Sequence, residues 1–243
     1  HNCFPIHIYR KYHMRINLVT CTDWNYKRWA ETLINSLHDQ YQHRYVIAVG
    51  EGDWHTWGAQ FGVTIIPQPF KHNMDPVRWC QNVRMRHLRT LLDDCDYLLQ
   101  VDSDVRQNQF TDFNKFQNAN IFAVTKKYKS KRGEIKQVDD RFRINAGWVL
   151  YKNTEYNRVR LQQIQQEFDN EYQDENGWDQ IKLWQHYGEN VGDVNSPDPK
   201  YIDDGSWGSF KSDSTWYHCK GPGRKQKTDI ETWHKIDMVP KLT

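Results

Sequence analysis

Short β-branched runs alternate with helix-periodic segments along the first 150 residues, and this alternation restricts the chain to few architectures. RINLVTCT (Arg15–Thr22), YVIAVG (Tyr45–Gly50), VTIIPQP (Val63–Pro69), YLLQV (Tyr97–Val101), IFAVT (Ile121–Thr125) and NAGWVLY (Asn145–Tyr151) read as strands. Between them, Trp29, Leu33, Ile34 and Leu37 recur at helical spacing, with Thr22 or Asp23 available as an N-cap. Val77, Cys80, Val83, Leu88, Leu91 and Leu92 mark a second helix from Pro76 to Leu92. Residues 155–188 read as one or two helices, broken around Glu175–Gly177. Strand and helix in turn, with short connections, predict an α/β fold with a mostly parallel central sheet flanked by helices. Such sheets bind ligands beyond the carboxyl ends of their strands. The segments TCTD and DSD both lie at such ends. Tyr128–Arg143, polar and containing Gly133, reads as a mobile loop, and Gly188–Ser214, rich in Gly, Asp, Ser and Pro, as loop. Trp216–Lys227 reads as a short strand or turn with a basic, Gly-rich tail.

Composition narrows the class. Only 37% of the 243 residues are hydrophobic, yet 14% are aromatic, which disfavours a disordered chain. Mean hydropathy is −0.94, and no run of about 18–20 apolar residues predicts a membrane span. A net charge of +2 argues against a protein whose main task is gripping nucleic acid. Cys3, Cys21, Cys80, Cys95 and Cys219 form no C-x-x-C pair and no zinc spacing, so free thiols in a reducing compartment are expected. With no signal-peptide pattern, a cytoplasmic location follows as the expectation, the alternative being a soluble catalytic piece of a longer protein. Residues 1–13, ahead of Met14, read as an N-terminal extension without an assigned role, and 14–243 as one domain.

Three segments carry candidate chemistry. LLQVDSDV delivers Asp102 and Asp104 where a hydrophobic strand ends. Two residues apart on a strand they face one side, and with a turn there they can share a divalent cation such as Mg²⁺ or Mn²⁺. The alternative is an Asp pair that caps a turn. In HCKGPGRK, Gly221 and Gly223 allow close backbone approach. Lys220, Arg224, Lys225 and Lys227 suit a phosphate, and His218 can complete a metal site. The alternative is a solvated basic loop. Asn82–Arg86, with Arg78 and Arg89, offers a positive helix face for a diphosphate, or else an ordinary amphipathic helix whose arginines meet solvent, Asp93 and Asp94. There is no G-x-S-x-G elbow, P-loop or H-E-x-x-H.

Taken in order, these segments resemble the glycogenin-like glycosyltransferases. VTCTDWNYKRWAETLINSL (Val19–Leu37) is similar to that family's first strand–turn–helix, YLLQVDSDV to its D-x-D strand, and HCKGPGR to its H-x-x-G-x-x-K element with Arg224 at the Lys position. NAGWVLY resembles the Asn-Ser-Gly strand with Ala146 for Ser, and GWDQIKLW (Gly177–Trp184) the Asp-Gln segment. Order and spacing agree from about residue 15 to about residue 227. Three features depart from the pattern: Trp24 after Asp23, no Pro-Trp after the last element, and no counterpart for Lys126–Arg143.

The resemblance implies a GT-A fold with a smaller acceptor-side region. It implies a nucleotide-sugar donor, commonly a UDP-sugar, a Mn²⁺-type cation, a saccharide or glycoconjugate acceptor, and transfer with retention. Carried over by position, Asp102, Asp104 and His218 are metal ligands. Thr20, Thr22, Asp23 and Tyr26 belong to the base pocket, and Ser103 to the donor-binding set. Arg86 is the helix cation near ribose or diphosphate, with Arg84 second, while Lys220, Gly221 and Arg224 hold the diphosphate. Asn145, Gly147, Asp179 and Gln180 line the donor-sugar and acceptor side, with Asn145, Asp179 and Gln180 as the catalytic candidates. Attack on the leaving-group face is favoured over double displacement, since Asp179 is the one carboxylate offered as a nucleophile. Tyr128–Arg143 or residues 195–214 are candidates for a covering loop.

Two rivals carry different expectations. A carbohydrate-binding module would use Trp54, Trp57, Trp148, Trp178, Trp184, Trp207 and Trp216 as a stacking surface. A sugar nucleotidyltransferase needs a Gly-rich loop after the first strand, and TCTDWNYK contains no Gly.

Overall fold

The computed structural model describes residues 14–71, 74–126, 128–131, 134–139, 143–175, 177–196, 201–203 and 214–218. The 1–13 extension and the basic segment from Cys219 onward, with Lys220, Gly221, Gly223, Arg224, Lys225 and Lys227, lie outside these residues.

The first half follows the expected alternation: β1 (Ile16–Asp23), α1 (Lys27–Ser36), β2 (His43–Val49), α2 (Trp54–Phe61), β3 (Thr64–Gln68), α3 (Pro76–Val83), α4 (Leu88–Leu92) and β4 (Tyr97–Val101). There follow β5 (Val105–Gln107), β6 (Ile121–Thr125), β7 (Tyr128–Lys131), β8 (Glu134–Gln137), β9 (Ile144–Lys152), α5 (Glu155–Glu171), α6 (Trp178–Tyr187), β10 (Val191–Asp193), β11 (Ile202–Asp203) and β12 (Trp216–His218). Seven strands form the central sheet in the order β10-β6-β9-β4-β1-β2-β3. Its pairings are parallel except for β9, which runs antiparallel to both β4 and β6. The predicted α/β architecture is therefore present.

The central strands are buried on both faces, as a helix-covered parallel sheet requires. Alternation along β1 sorts its side chains: Val19 and Cys21 join one core with Trp79, Leu88, Leu161, Ile164 and Trp178, whereas Ile16 and Leu18 join the opposite core with Leu33, Phe113, Trp148 and Trp216. Trp54 and Trp57 of α2 close a third cluster with Val46 and Ala48. The aromatic excess is thus largely core. Of the tryptophans expected on a stacking surface, 54, 57, 148, 178 and 216 are buried, Trp184 lies under the Arg143 guanidinium, and Trp207 is outside the described residues.

Several local expectations are corrected. The Pro76–Leu92 helix is interrupted by a 3₁₀ turn at Arg84–Arg86, which buries Arg84 and Met85 and turns Arg86 outward to Asp169, 2.8 Å away. Neither Thr22 nor Asp23 caps α1, because Asp23 Oδ1 accepts the N–H groups of Asn25 (2.8 Å) and Tyr26 (2.9 Å) in a turn before the helix. Tyr128–Arg143 contains a two-stranded antiparallel ribbon, β7 with β8. A ribbon outside the main sheet needs no apolar run, so hydrophobic periodicity does not reveal it. The Gly188–Ser214 stretch contributes β10 to the sheet edge, where a Cβ at Gly192 would stand 2.5 Å from the Phe122 ring. Among the described residues no helix is long and apolar enough to cross a membrane.

Helix α5 docks on α6 through Glu167, whose carboxylate meets Lys182 Nζ at 2.7 Å and His186 Nε2 at 2.8 Å. Burial pushes the Glu167 pKa up, but the bonds from Lys182 and His186 outweigh it and hold it below its ordinary 4.5. A depressed folded-state pKa stabilises above the unfolded value and is lost as pH falls through the folded one. Glu167→Gln should therefore lower the melting temperature at pH 7, and its difference from wild type should shrink below about pH 4.5. Thermal melts of both proteins across pH check this.

Candidate metal centre and donor cleft

Strand β4 ends at Val101, and the chain turns at once. The Asp102 N–H donates to Gly147 O (2.8 Å) and the Val105 N–H to Asp102 O (3.2 Å), so both aspartates project from one tight turn at the sheet's carboxyl edge. Strand β5 then pairs antiparallel with β12, placing His218 opposite Val105. A residue distant in sequence is thereby carried to the same turn. His218 Nε2 stands 3.4 Å from Asp102 Oδ2 and 3.3 Å from Asp104 Oδ1. One ligand atom from each of Asp102, Asp104 and His218 falls within 4.8 Å of the others.

The floor of this group is Gly147 on β9. A Cβ there would stand 2.2 Å from His218 Cε1 and 2.8 Å from Asp102 Oδ2, so only glycine permits the approach. Asn145, two residues earlier, accepts the Gly147 N–H at 2.9 Å and so fixes the floor strand locally. Two carboxylates and an imidazole suit a divalent cation of intermediate hardness. The residues present fit a metal.

Arg84 ties this group to a second one. Its buried guanidinium pairs with Asp102 on one side and with Asp179 Oδ2, at 2.8 Å, on the other. Burial pushes the Asp102 pKa up, but Arg84 and His218 outweigh it and hold the carboxyl well below the usual carboxylate range. Burial raises Asp179, with the Asp102 charge adding to it and Arg84 opposing. For Arg84, burial favours the neutral form, and the two aspartates more than reverse this.

Asp179 opens α6 under tight control. Its N–H donates to Asn82 Oδ1 (3.2 Å), and Asn82 Nδ2 donates to the Tyr172 hydroxyl (3.1 Å) and to Glu175 O (3.2 Å). Gly177, at φ 75°, makes the left-handed entry into the helix. The Gln180 N–H donates to Asp179 Oδ1 at 2.8 Å.

A cleft of ≈ 70 Å³ runs from this cluster along the end of β1, lined by Thr22, Asp23, Tyr26, Arg84, Asp102, Ser103 and Asp104, with Cys21, Val77, Cys80 and Gln81. At Asp23 it meets a wider depression of ≈ 780 Å³ beside Trp24 and Phe70. The structure therefore gathers Thr22, Asp23, Tyr26, Ser103 and Arg84 around the acidic pair. Asn145, Gly147, Asp179 and Gln180 stand at or next to the same group. Two expected residues are not gathered. Thr20 is fully buried and does not line the cleft. Arg86 faces Asp169 on α5, and among the described residues it is Arg84 that brings a positive charge to the site. Lys220, Gly221 and Arg224 lie outside the described residues. Sequence reasoning missed Asn82 as the holder of Asp179. Its signal was weak, since a polar residue within an amphipathic pattern reads as surface.

No protein-family model matches the sequence, and neither does any curated protein. Solved structures do match. The glycosyltransferase GlyE of Streptococcus pneumoniae TIGR4 aligns at TM-score 0.58 and 16% identity, over 94% of this chain and 61% of GlyE, so this chain spans about three fifths of that relative. The galactosyltransferase LgtC, solved with donor and acceptor sugar analogs, aligns at TM-score 0.55 and 16% identity over 90% of this chain and 94% of LgtC. A glycosyltransferase involved in glycosylating the major capsid of PBCV-1 aligns at TM-score 0.52 and 10% identity, over 91% and 99%. The chain has the GT-A-like fold of these glycosyltransferases.

Gly147→Ala should push a methyl group into His218 and Asp102 while leaving the sheet paired. Mn²⁺ affinity should fall by about tenfold or more. Mn²⁺ titration followed by electron paramagnetic resonance, with circular dichroism to confirm folding, reads this. Wild-type affinity in the variant would contradict the assignment.

Proposed function

We propose that this chain is a metal-dependent glycosyltransferase that moves a sugar from a nucleotide-sugar donor, a UDP-sugar, to an acceptor hydroxyl with retention. The observation that carries the reading is the convergence of Asp102, Asp104 and His218 at a strand's carboxyl end, bonded through Arg84 to Asp179, in the fold of sugar-transferring enzymes.

The difficult step is departure of the nucleoside diphosphate from the donor's anomeric carbon, which builds negative charge on the leaving oxygen. A bound Mn²⁺ or Mg²⁺ supplies the positive charge that offsets it. The imidazole in the donor set favours Mn²⁺ over the harder Mg²⁺. The protein's own residues do the rest. Asp102 is held ionised by Arg84 and His218 and so offers a permanent anionic ligand. Thr22, Asp23 and Tyr26 line the end of the cleft that takes the base and ribose. Arg84 is fixed at both ends before substrate arrives, which removes reorganisation from the reaction.

The side chain best placed to be a nucleophile argues for same-face attack. Both Asp179 oxygens are engaged, Oδ2 by Arg84 and Oδ1 by the Gln180 N–H, and the residue is buried. A carboxylate so held is a poor partner for a glycosyl carbon. The acceptor oxygen therefore bonds the anomeric carbon as the bond to the diphosphate breaks, and the acceptor's proton passes to the departing diphosphate. Asp179 and Gln180 orient the sugars.

Asp104→Ala should reduce metal-dependent release of UDP from UDP-sugars by about 100-fold or more, since the ion is asked for several kcal/mol of charge stabilisation. The fold should be retained. A screen of UDP-, GDP- and TDP-sugars with Mn²⁺, reading nucleoside diphosphate release, supplies the substrate. Full activity of Asp104→Ala at saturating Mn²⁺ would overturn the reading.

A further inference from the structure

Two cysteines face each other in the wall of the donor cleft. Cys21 comes from β1 and Cys80 from α3, and their sulfurs are 3.3 Å apart, sharing one hydrogen bond. Both line the cleft that also holds Arg84 and Asp102, so a small solute entering the cleft reaches them. Neither is bonded to another cysteine. The mechanism above uses neither sulfur.

We propose that Cys21 and Cys80 are an oxidisable dithiol, and that a peroxide converts them to a Cys21–Cys80 disulfide that weakens binding of the nucleotide. The second half of this rests on the donor-site reading above. The chemistry balances. One thiolate attacks hydrogen peroxide, the O–O bond breaks, and a sulfenic acid forms as hydroxide leaves and takes up the proton the thiol gave up, becoming water. The second sulfur then displaces hydroxide from the sulfenic sulfur, leaving the disulfide and a second water. Both cysteines are oxidised, and the peroxide is reduced. A dithiol reductant reverses it.

The coupling follows from what the two sulfurs are attached to. A disulfide requires about 2.05 Å between sulfurs, so the pair must close by roughly 1.2 Å. Cys21 lies in a central strand, paired with Ile47 of β2, and cannot easily move. Helix α3 is partly exposed, with Val77 open to solvent, and it yields more readily. That helix carries Asn82, which holds Asp179, and it runs into Arg84, which holds Asp102 and Asp179. Drawing α3 toward β1 therefore shifts both anchors and narrows the cleft. The bond from Cys21 and burial push the Cys80 thiol pKa well up. Since the thiolate is the reactive form, oxidation should be slow at neutral pH and faster in alkali.

The test treats reduced protein with hydrogen peroxide at about pH 8.5, traps remaining thiols by alkylation, and maps the peptides. The expected result is a linked peptide joining Cys21 to Cys80, lost on dithiothreitol, with Cys95 still alkylated after unfolding. UDP affinity in Mn²⁺ should fall several-fold on oxidation and return on reduction. Cys80→Ser, compared with its own untreated form, should show no change of affinity with peroxide. Both cysteines remaining fully alkylatable after peroxide would overturn the proposal, as would a linked peptide with unchanged UDP affinity. If reduced protein binds no UDP, the glycosyltransferase reading fails. The linked peptide, with slower hydrogen exchange across Pro76–Val83, then decides the dithiol and its hold on α3.

Discussion

The paired bonds of Arg84 hold the rest of the site in place. A buried guanidinium is tolerated only where carboxylates meet it, and a buried carboxylate only where a cation or donor does. Arg84 satisfies Asp102 at the end of β4 and Asp179 at the start of α6, and so joins the sheet edge to a helix on one face. Removing one member of such a group typically costs about 3–5 kcal/mol, because the partners stay buried without compensation. The same contacts set protonation: Asp102 is kept ionised while Asp179 is shifted the other way. Two carboxylates on one guanidinium thereby acquire different characters, the one at the cleft held ionised and the buried one raised.

The sheet places this cluster where ligands of α/β proteins bind. Strands β1 and β4 are neighbours, so Thr22 and Asp23 emerge beside Asp102. Antiparallel β9 returns between β4 and β6, which puts Gly147 under the turn rather than at the far edge. The small sheet β11-β12-β5 exists outside the main one, and its register delivers His218 to the acidic pair. Each of the three candidate ligands thus depends on a backbone pairing and not on loop conformation alone.

Much of this was legible from residues. The strands of the main sheet, apart from β10, appeared as β-branched runs, and Asp102 and Asp104 stood out because a hydrophobic strand ended on them. His218 is marked by its place beside a Gly-rich basic segment and, as a ligand, by the resemblance of HCKGPGR to the H-x-x-G-x-x-K element. Less legible were features decided by tertiary contact. Arg84 and Arg86 are equivalent by composition, and only the 3₁₀ turn, which breaks helical periodicity, turns one inward and the other to Asp169. Helix α2 was not anticipated, although Asp53 accepting the Thr56 N–H and Gly62 at φ 62° mark its two ends. Strand β10 is three residues long, too short for a period-two pattern to register. The tryptophans read ambiguously because a ring that fills a core and a ring that stacks on a sugar look the same in sequence. Burial resolves most of them as core.

The central claim is that Asp102, Asp104 and His218 form a cation site for a nucleoside diphosphate. Calorimetric titration of UDP into the protein, once with Mn²⁺ and once with EDTA, tests it most directly. The account predicts saturable binding with Mn²⁺ and a loss of about tenfold or more in affinity with EDTA, as expected when charge compensation of the diphosphate is removed. Equal UDP affinity in the two conditions would contradict it.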